Sequence, residues 1–95
     1  MTSSQRATLR SLAMQMQPMT HIGKNGISDM LIKQIDEQLE SRELIKVAVL
    51  KNAEFSAKEI AEELAQNSNA EVVQVLGSKI TLYRVSKKSG IKHIL

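Results

Sequence analysis

The sequence predicts a small α/β domain, two-layer in type, with three helices and a four-stranded mixed sheet in the order α-β-α-β-α-β-β. Three observations carry this prediction. Helical and extended periodicities alternate along the chain, which is the signature of strand–helix–strand units and a parallel pair. Two helix starts carry capping signals, Ser28 and the Ser56-Ala57-Lys58-Glu59 box. The last two apolar runs are separated only by Gly77-Ser78, so they must pair antiparallel and make the sheet mixed.

The first helix rests on Leu9, Leu12, Ala13 and Met16, spaced i, i+3, i+4 and i+7, and Pro18 ends it. Met19 to Ile22 is a short extended segment, and the glycines of Gly23-Lys24-Asn25-Gly26 force a turn after it. Ser28 caps the second helix, Ile27 can staple onto Ile32 across the cap, and Asp29 complements the positive end of the helix dipole. Leu31, Ile35 and Leu39 give this helix its buried stripe as far as about Ser41. Leu44 to Leu50 is β-branched and almost wholly apolar, as expected of a strand covered on both faces, with Lys46 as the exception. Phe55 and Ile60 are placed to staple the third helix, which Asn67-Ser68-Asn69 ends. Val72 to Leu76 and Ile80 to Val85 form the closing hairpin, Gly77-Ser78 suits a type II′ turn, and residues 86–95 are expected to be a loose basic tail.

Ninety-five residues hold one domain, 1–95, burying roughly 60 to 65 per cent of the unfolded chain's surface. A hydrophobic content of 42 per cent separates it from disordered chains. There is no cysteine, hence neither a disulfide framework nor a thiolate-held metal. His21 and His93 lack partners at metal spacing and read as surface or loop residues. No run approaches the roughly 20 apolar residues of a membrane span, and the N-terminus lacks a signal-peptide core. A cytoplasmic protein without metal or cofactor is the expectation, and a monomer.

The net charge of +3 is unevenly distributed. Residues 1–28 carry +3 without an acid, residues 29–71 hold all ten acids against five bases, and residues 72–95 carry +5 without an acid. If the fold brings the two ends together they form one positive face, the footprint of a polyanion binder; otherwise they are a solvated mixed surface with a basic tail. On its own, the glycine turn also has two readings. It is either an ordinary strand-to-helix connection whose glycines adopt positive φ, or a loop whose side-chain-poor backbone approaches a phosphate ahead of a helix N-terminus.

Taken together, LRSLA, Pro18 separated by three residues from IGKNGIS, ELIKV and GSKITLYR resemble, in order and spacing, the bacterial YhbY-type CRM-domain proteins. The resemblance runs from about Leu9 to Arg84 and departs from the family pattern at Met19-Thr20-His21 and at Ala48. It implies a CRM fold similar to the C-terminal domain of bacterial translation initiation factor three. It also implies RNA as the partner, association with the precursor of the large (50S) ribosomal subunit, and a role in its assembly. Carried over by position, RNA contact falls on Gly23, Lys24, Asn25 and Gly26, with Lys46 and Arg84 as further residues. The charge map adds Arg6, Arg10 and Lys87.

Composition narrows the mode of binding. Phe55 and Tyr83 are the only aromatic residues, too few for a sheet that stacks successive bases, so recognition should rest on shape and phosphate. Contact with four to six phosphates would give a log–log salt slope of roughly −3 to −4. The Glu59, Glu62 and Glu63 cluster is a solvated helix face, or one that repels RNA from that side. A protein-interaction adaptor using the helix around 57–65 or a sheet edge is the alternative function. An RNA-modifying enzyme would need paired carboxylates, a placed base or a cofactor loop, and no such pattern is visible.

Overall fold

The computed structural model describes residues 1–95. Its elements follow the expected order: α1 (Ser3–Met14), β1 (Thr20–Ile22), α2 (Asp29–Arg42), β2 (Leu44–Val49), α3 (Ala57–Ser68), β3 (Glu71–Leu76) and β4 (Lys79–Tyr83). The strands lie in the order β1-β2-β4-β3. β1 is parallel to β2, and β4 is antiparallel to both β2 and β3. The second strand of the hairpin, β4, therefore lies between β2 and β3, leaving those two parallel but not adjacent. Gly77 has φ +60 whereas Ser78 does not enter the left-handed region, the combination a type II′ turn requires.

The near-continuous apolar run of β2 is covered on both faces. Ile45 and Val47 join Ile22, Ile80 and Leu82 under α2 (Ile35, Leu39) and α3 (Ile60, Ala61, Leu64). Leu44 points the other way and packs with Val73 beneath Leu9 and Ala13 of α1. To the two expected layers α1 thus adds a thin third. Its stripe is shorter than the periodicity suggested, because Leu12 is exposed and Met16 lies beyond the helix end.

The caps are formed as read. Ser28 Oγ accepts from the Leu31 N–H (3.1 Å), and Ser56 and Glu59 exchange backbone hydrogen bonds across the box, each 3.2 Å. α1 carries an additional capping box between Thr2 and Gln5. Phe55 departs from the expected staple and is 53% exposed.

The largest correction concerns residues 86–95. They form no helix or strand, yet they are not loose. The Glu43 carboxylate, fully buried, accepts from the Ser86 N–H (2.6 Å), the Ile94 N–H (2.8 Å) and His93 Nδ1 (2.6 Å). Ser86 Oγ donates to the Glu40 carbonyl at 2.6 Å, and Ile94 packs against the α1 cluster. His93 is a surface residue as expected, but a tethered one. Glu43 also caps α2 with φ +66, a backbone state that costs a non-glycine residue free energy unless its surroundings hold it there.

Candidate nucleic-acid interface

Buried Ile22 fixes the end of β1, and the chain then reverses at Gly23-Lys24-Asn25-Gly26, where the Gly26 N–H donates to the Gly23 carbonyl at 3.0 Å. Each glycine has its own local reason. Gly26 sits at φ +63 in open space, whereas a Cβ on Gly23 would lie 3.2 Å from Asn52 Oδ1 and 3.4 Å from Leu50 Cδ1. Lys24 and Asn25 occupy the corners of the turn with exposed side chains and no intramolecular partner. Ser28 then starts α2, so the positive end of that helix stands directly behind the turn.

The turn has two different flanks. On one, a cavity of about 290 Å³ is lined by His21, Met30, Leu31 and Gln34 together with the turn itself. On the other, a smaller cavity of about 180 Å³ places Lys24, Asn25 and Ile27 against Glu54, Phe55 and Glu63. Carboxylates line only the second.

The remaining expected cations are not gathered here. Arg6 Nη1 donates to the Val72 and Val73 carbonyls (2.8 and 2.9 Å), at the point where the β3–β4 register shifts. It thus serves carbonyls at the bulge, where Val73 has no register partner on β4. Lys46 Nζ donates to the Ala13 and Met16 carbonyls (3.1 and 3.4 Å), the position at a helix C-terminus where a cation is favourable. Arg84 is held by Asp36 Oδ1 (2.5 Å), Glu40 Oε1 (3.0 Å) and the Ser68 carbonyl (2.7 Å), with its side chain only 15% exposed. These three cations bind the protein to itself. Arg10 is exposed on α1. Lys87 is exposed too, but it follows β4 and so lies at the opposite end of the sheet from the turn, roughly 17 Å away along β2.

The two chain ends therefore do not form a single positive face at the glycine turn. Sequence reasoning missed the cations that topology does place at that end. Lys51 follows β2, whose last residue pairs with Ile22, and Lys79 opens β4 opposite Ala48; both are exposed. Strand register is the signal that finds them, and it is not visible before the pairing is known. Tyr83 packs beside the α1 cluster. Burial, and then the charges of Glu43 and Glu71, push its phenol above the ordinary value. Burial alone would raise the Glu43 carboxyl. The hydrogen bonds from Ser86, His93 and Ile94, with the charge of His93, outweigh that and hold it below its ordinary 4.5.

Comparison with known proteins agrees with this architecture. Residues 1–84 match the CRS1/YhbY (CRM) domain model. The chain is 45% identical to the probable RNA-binding protein YqeI of Bacillus subtilis, over 94% of this chain and 93% of that one. It is 28% identical to an RNA-binding protein of Haemophilus influenzae, over 97% and 93% of the two chains. A solution structure from Staphylococcus aureus, of a hypothetical protein described as a candidate RNA binder, superposes with a TM-score of 0.77 at 50% identity, covering 94% of this chain and 93% of that one. By sequence and by fold, this chain belongs to the CRS1/YhbY (CRM) domain family.

Proposed function

We propose that this protein is a non-catalytic RNA-binding module in which residues 1–95 form one domain, that it is a monomer, and that it grips the phosphate backbone at Gly23–Gly26. The observation that carries the reading is the pair Lys24 and Asn25, exposed and unpartnered at the corners of a turn that feeds the N-terminus of α2. Lys24 supplies charge, Asn25 a neutral hydrogen bond, and the helix end a favourable field for an anion. Lys51 and Lys79 extend the cationic edge. The names of the relatives support RNA as the ligand. The family resemblance supplies the destination: ribosomal RNA of the pre-50S particle in the cytoplasm, with assembly of that particle as the physiological role.

The interface is smaller than the charge map suggested. With Arg6, Lys46 and Arg84 engaged internally, about three phosphates are neutralised, and the log–log salt slope falls to roughly −2. Binding rather than catalysis also fits the carboxylates Asp36, Glu40 and Glu43, which are occupied by Arg84, Ser86 and His93. The adaptor reading has one observation in its favour: Phe55 stands half exposed among Glu59, Glu62 and Glu63. Replacing Lys24 and Asn25 together by alanine tests both. RNA affinity measured by fluorescence anisotropy, and co-sedimentation with pre-50S particles, should each fall about tenfold with the melting temperature unchanged. Undiminished co-sedimentation of the folded variant would transfer the function to the Phe55 face.

A further inference from the structure

The two flanks of the glycine turn differ in chemistry, and the difference bears on more than the phosphate. Glu54 and Glu63 border one flank, where a polyanion would be repelled. The other flank is free of carboxylates, so a strand held at Lys24 and Asn25 meets no like charge there. There the walls are not those of an anion site. Met30 is 80% exposed, so its thioether is open to a ligand in the cavity. Leu31 lies beside it, and Gln34, one helical turn on from Met30, presents an amide that can donate and accept at once. His21 closes the cavity from β1.

We infer that this cavity is a seat for one unpaired RNA base adjoining the phosphate held at the turn, an inference that rests on the proposed RNA-binding role. A polarisable thioether and an aliphatic neighbour suit the face of a flat heteroaromatic ring. The Gln34 amide and the His21 ring suit its hydrogen-bonding edge. A phosphate would gain nothing from Met30 or Leu31. At about 290 Å³ the cavity sits at the lower bound of small-ligand sites, roughly 300 Å³, suited to one base and not to a stack. Because it uses methionine in place of an aromatic residue, a count of aromatic residues along the sequence does not disclose it.

The experiment compares an eight-nucleotide uridine or adenosine RNA with a ribose-phosphate oligomer of equal length that carries no bases, both by fluorescence anisotropy. The wild-type protein should bind the better of the two base-bearing strands about fivefold more tightly than the abasic one. Met30→Ala combined with Gln34→Ala should reduce that ratio to about one while leaving abasic binding and the salt slope unchanged. Both side chains are exposed, so the melting temperature should not move. Equal wild-type affinity for intact and abasic strands would overturn the seat, as would a double variant that weakens both equally. Lys24→Ala with Asn25→Ala separates the two ideas. If that variant weakens abasic binding but the intact-to-abasic ratio is already one in the wild type, only the seat fails; if it weakens neither strand, the turn reading fails and the seat with it.

Discussion

The two ends of the sheet treat charge in opposite ways. At the end where β4 runs out, the charges that pack against the sheet are paired, although Lys87, Lys88 and Lys92 beyond them are exposed: Arg84 bridges Asp36 and Glu40, and Glu43 gathers Ser86, His93 and Ile94. At the end where β1 runs out, Lys24, Lys51 and Lys79 project into solvent, and the only side-chain contact among them is Lys79 Nζ to Ser78 Oγ at 3.3 Å. A cation that already satisfies buried acceptors has little left to offer a phosphate, and withdrawing it from them would cost stability. Under the proposed function, Lys24, Lys51 and Lys79 are set apart from Arg6, Lys46 and Arg84 by partnership, not by formal charge. The motif ELIKV illustrates this, since Glu43 tethers the C-terminal segment and Lys46 caps α1.

The comparison breaks most visibly if Glu43 is replaced. Glu43→Ala leaves the buried N–H of Ser86 and the N–H of Ile94 without their acceptor, at about 3 kcal/mol in chemical denaturation. Glu43→Gln keeps one acceptor oxygen and should lose about half as much. Because the folded-state carboxyl lies below 4.5, its contribution is fully present above that pH and is lost as the pH falls below 4.5 through the folded value. The wild-type protein should therefore lose stability more steeply below pH 4.5 than Glu43→Gln does. Parallel acid slopes would mean that the tether carries no linkage.

Arg84→Ala is the next largest, about 2 kcal/mol, since it strands the Ser68 carbonyl and releases Asp36 and Glu40. Lysine at this position cannot reproduce the fork and should recover less than half of the loss. RNA affinity per folded molecule should not change. A drop in affinity at full folding would place Arg84 in the interface after all.

Much of this architecture was legible beforehand. Element order, both serine caps and the hairpin turn follow from rules acting within a few residues, so Ser28, Ser56 and Gly77 could be placed by inspection. Long-range polar partnership could not. Ser86 and His93 meet Glu43 from more than 40 positions away, with no periodicity to announce it, and a chain segment rich in lysine reads as free. The glycine turn was legible in position, but its neighbours Lys51 and Lys79 depend on register.

Within the turn the glycines themselves should separate. Gly26→Ala forces a side chain onto φ +63 in otherwise open space, so about 1 kcal/mol is expected from backbone conformation alone. Gly23→Ala meets the end of the exposed Asn52 side chain at 3.2 Å, which can swing aside, and should cost less. The reverse order in thermal melts would mean that Gly23 is held by packing and Gly26 is not held by conformation.

The smallest effect on stability is expected at Lys24, and there the contrast between the two ends becomes sharpest. Its side chain is exposed and makes no hydrogen bond or ion pair, so Lys24→Ala should stay within about 0.5 kcal/mol of the wild type. Its effect on RNA should appear as a salt slope shallower by about 0.7, one phosphate contact removed. Lys46→Met inverts that pattern: it uncaps the Ala13 and Met16 carbonyls and lowers stability by about 1 kcal/mol, with the salt slope unchanged. If both substitutions moved the slope equally, internal partnership would not be what decides which lysines meet RNA.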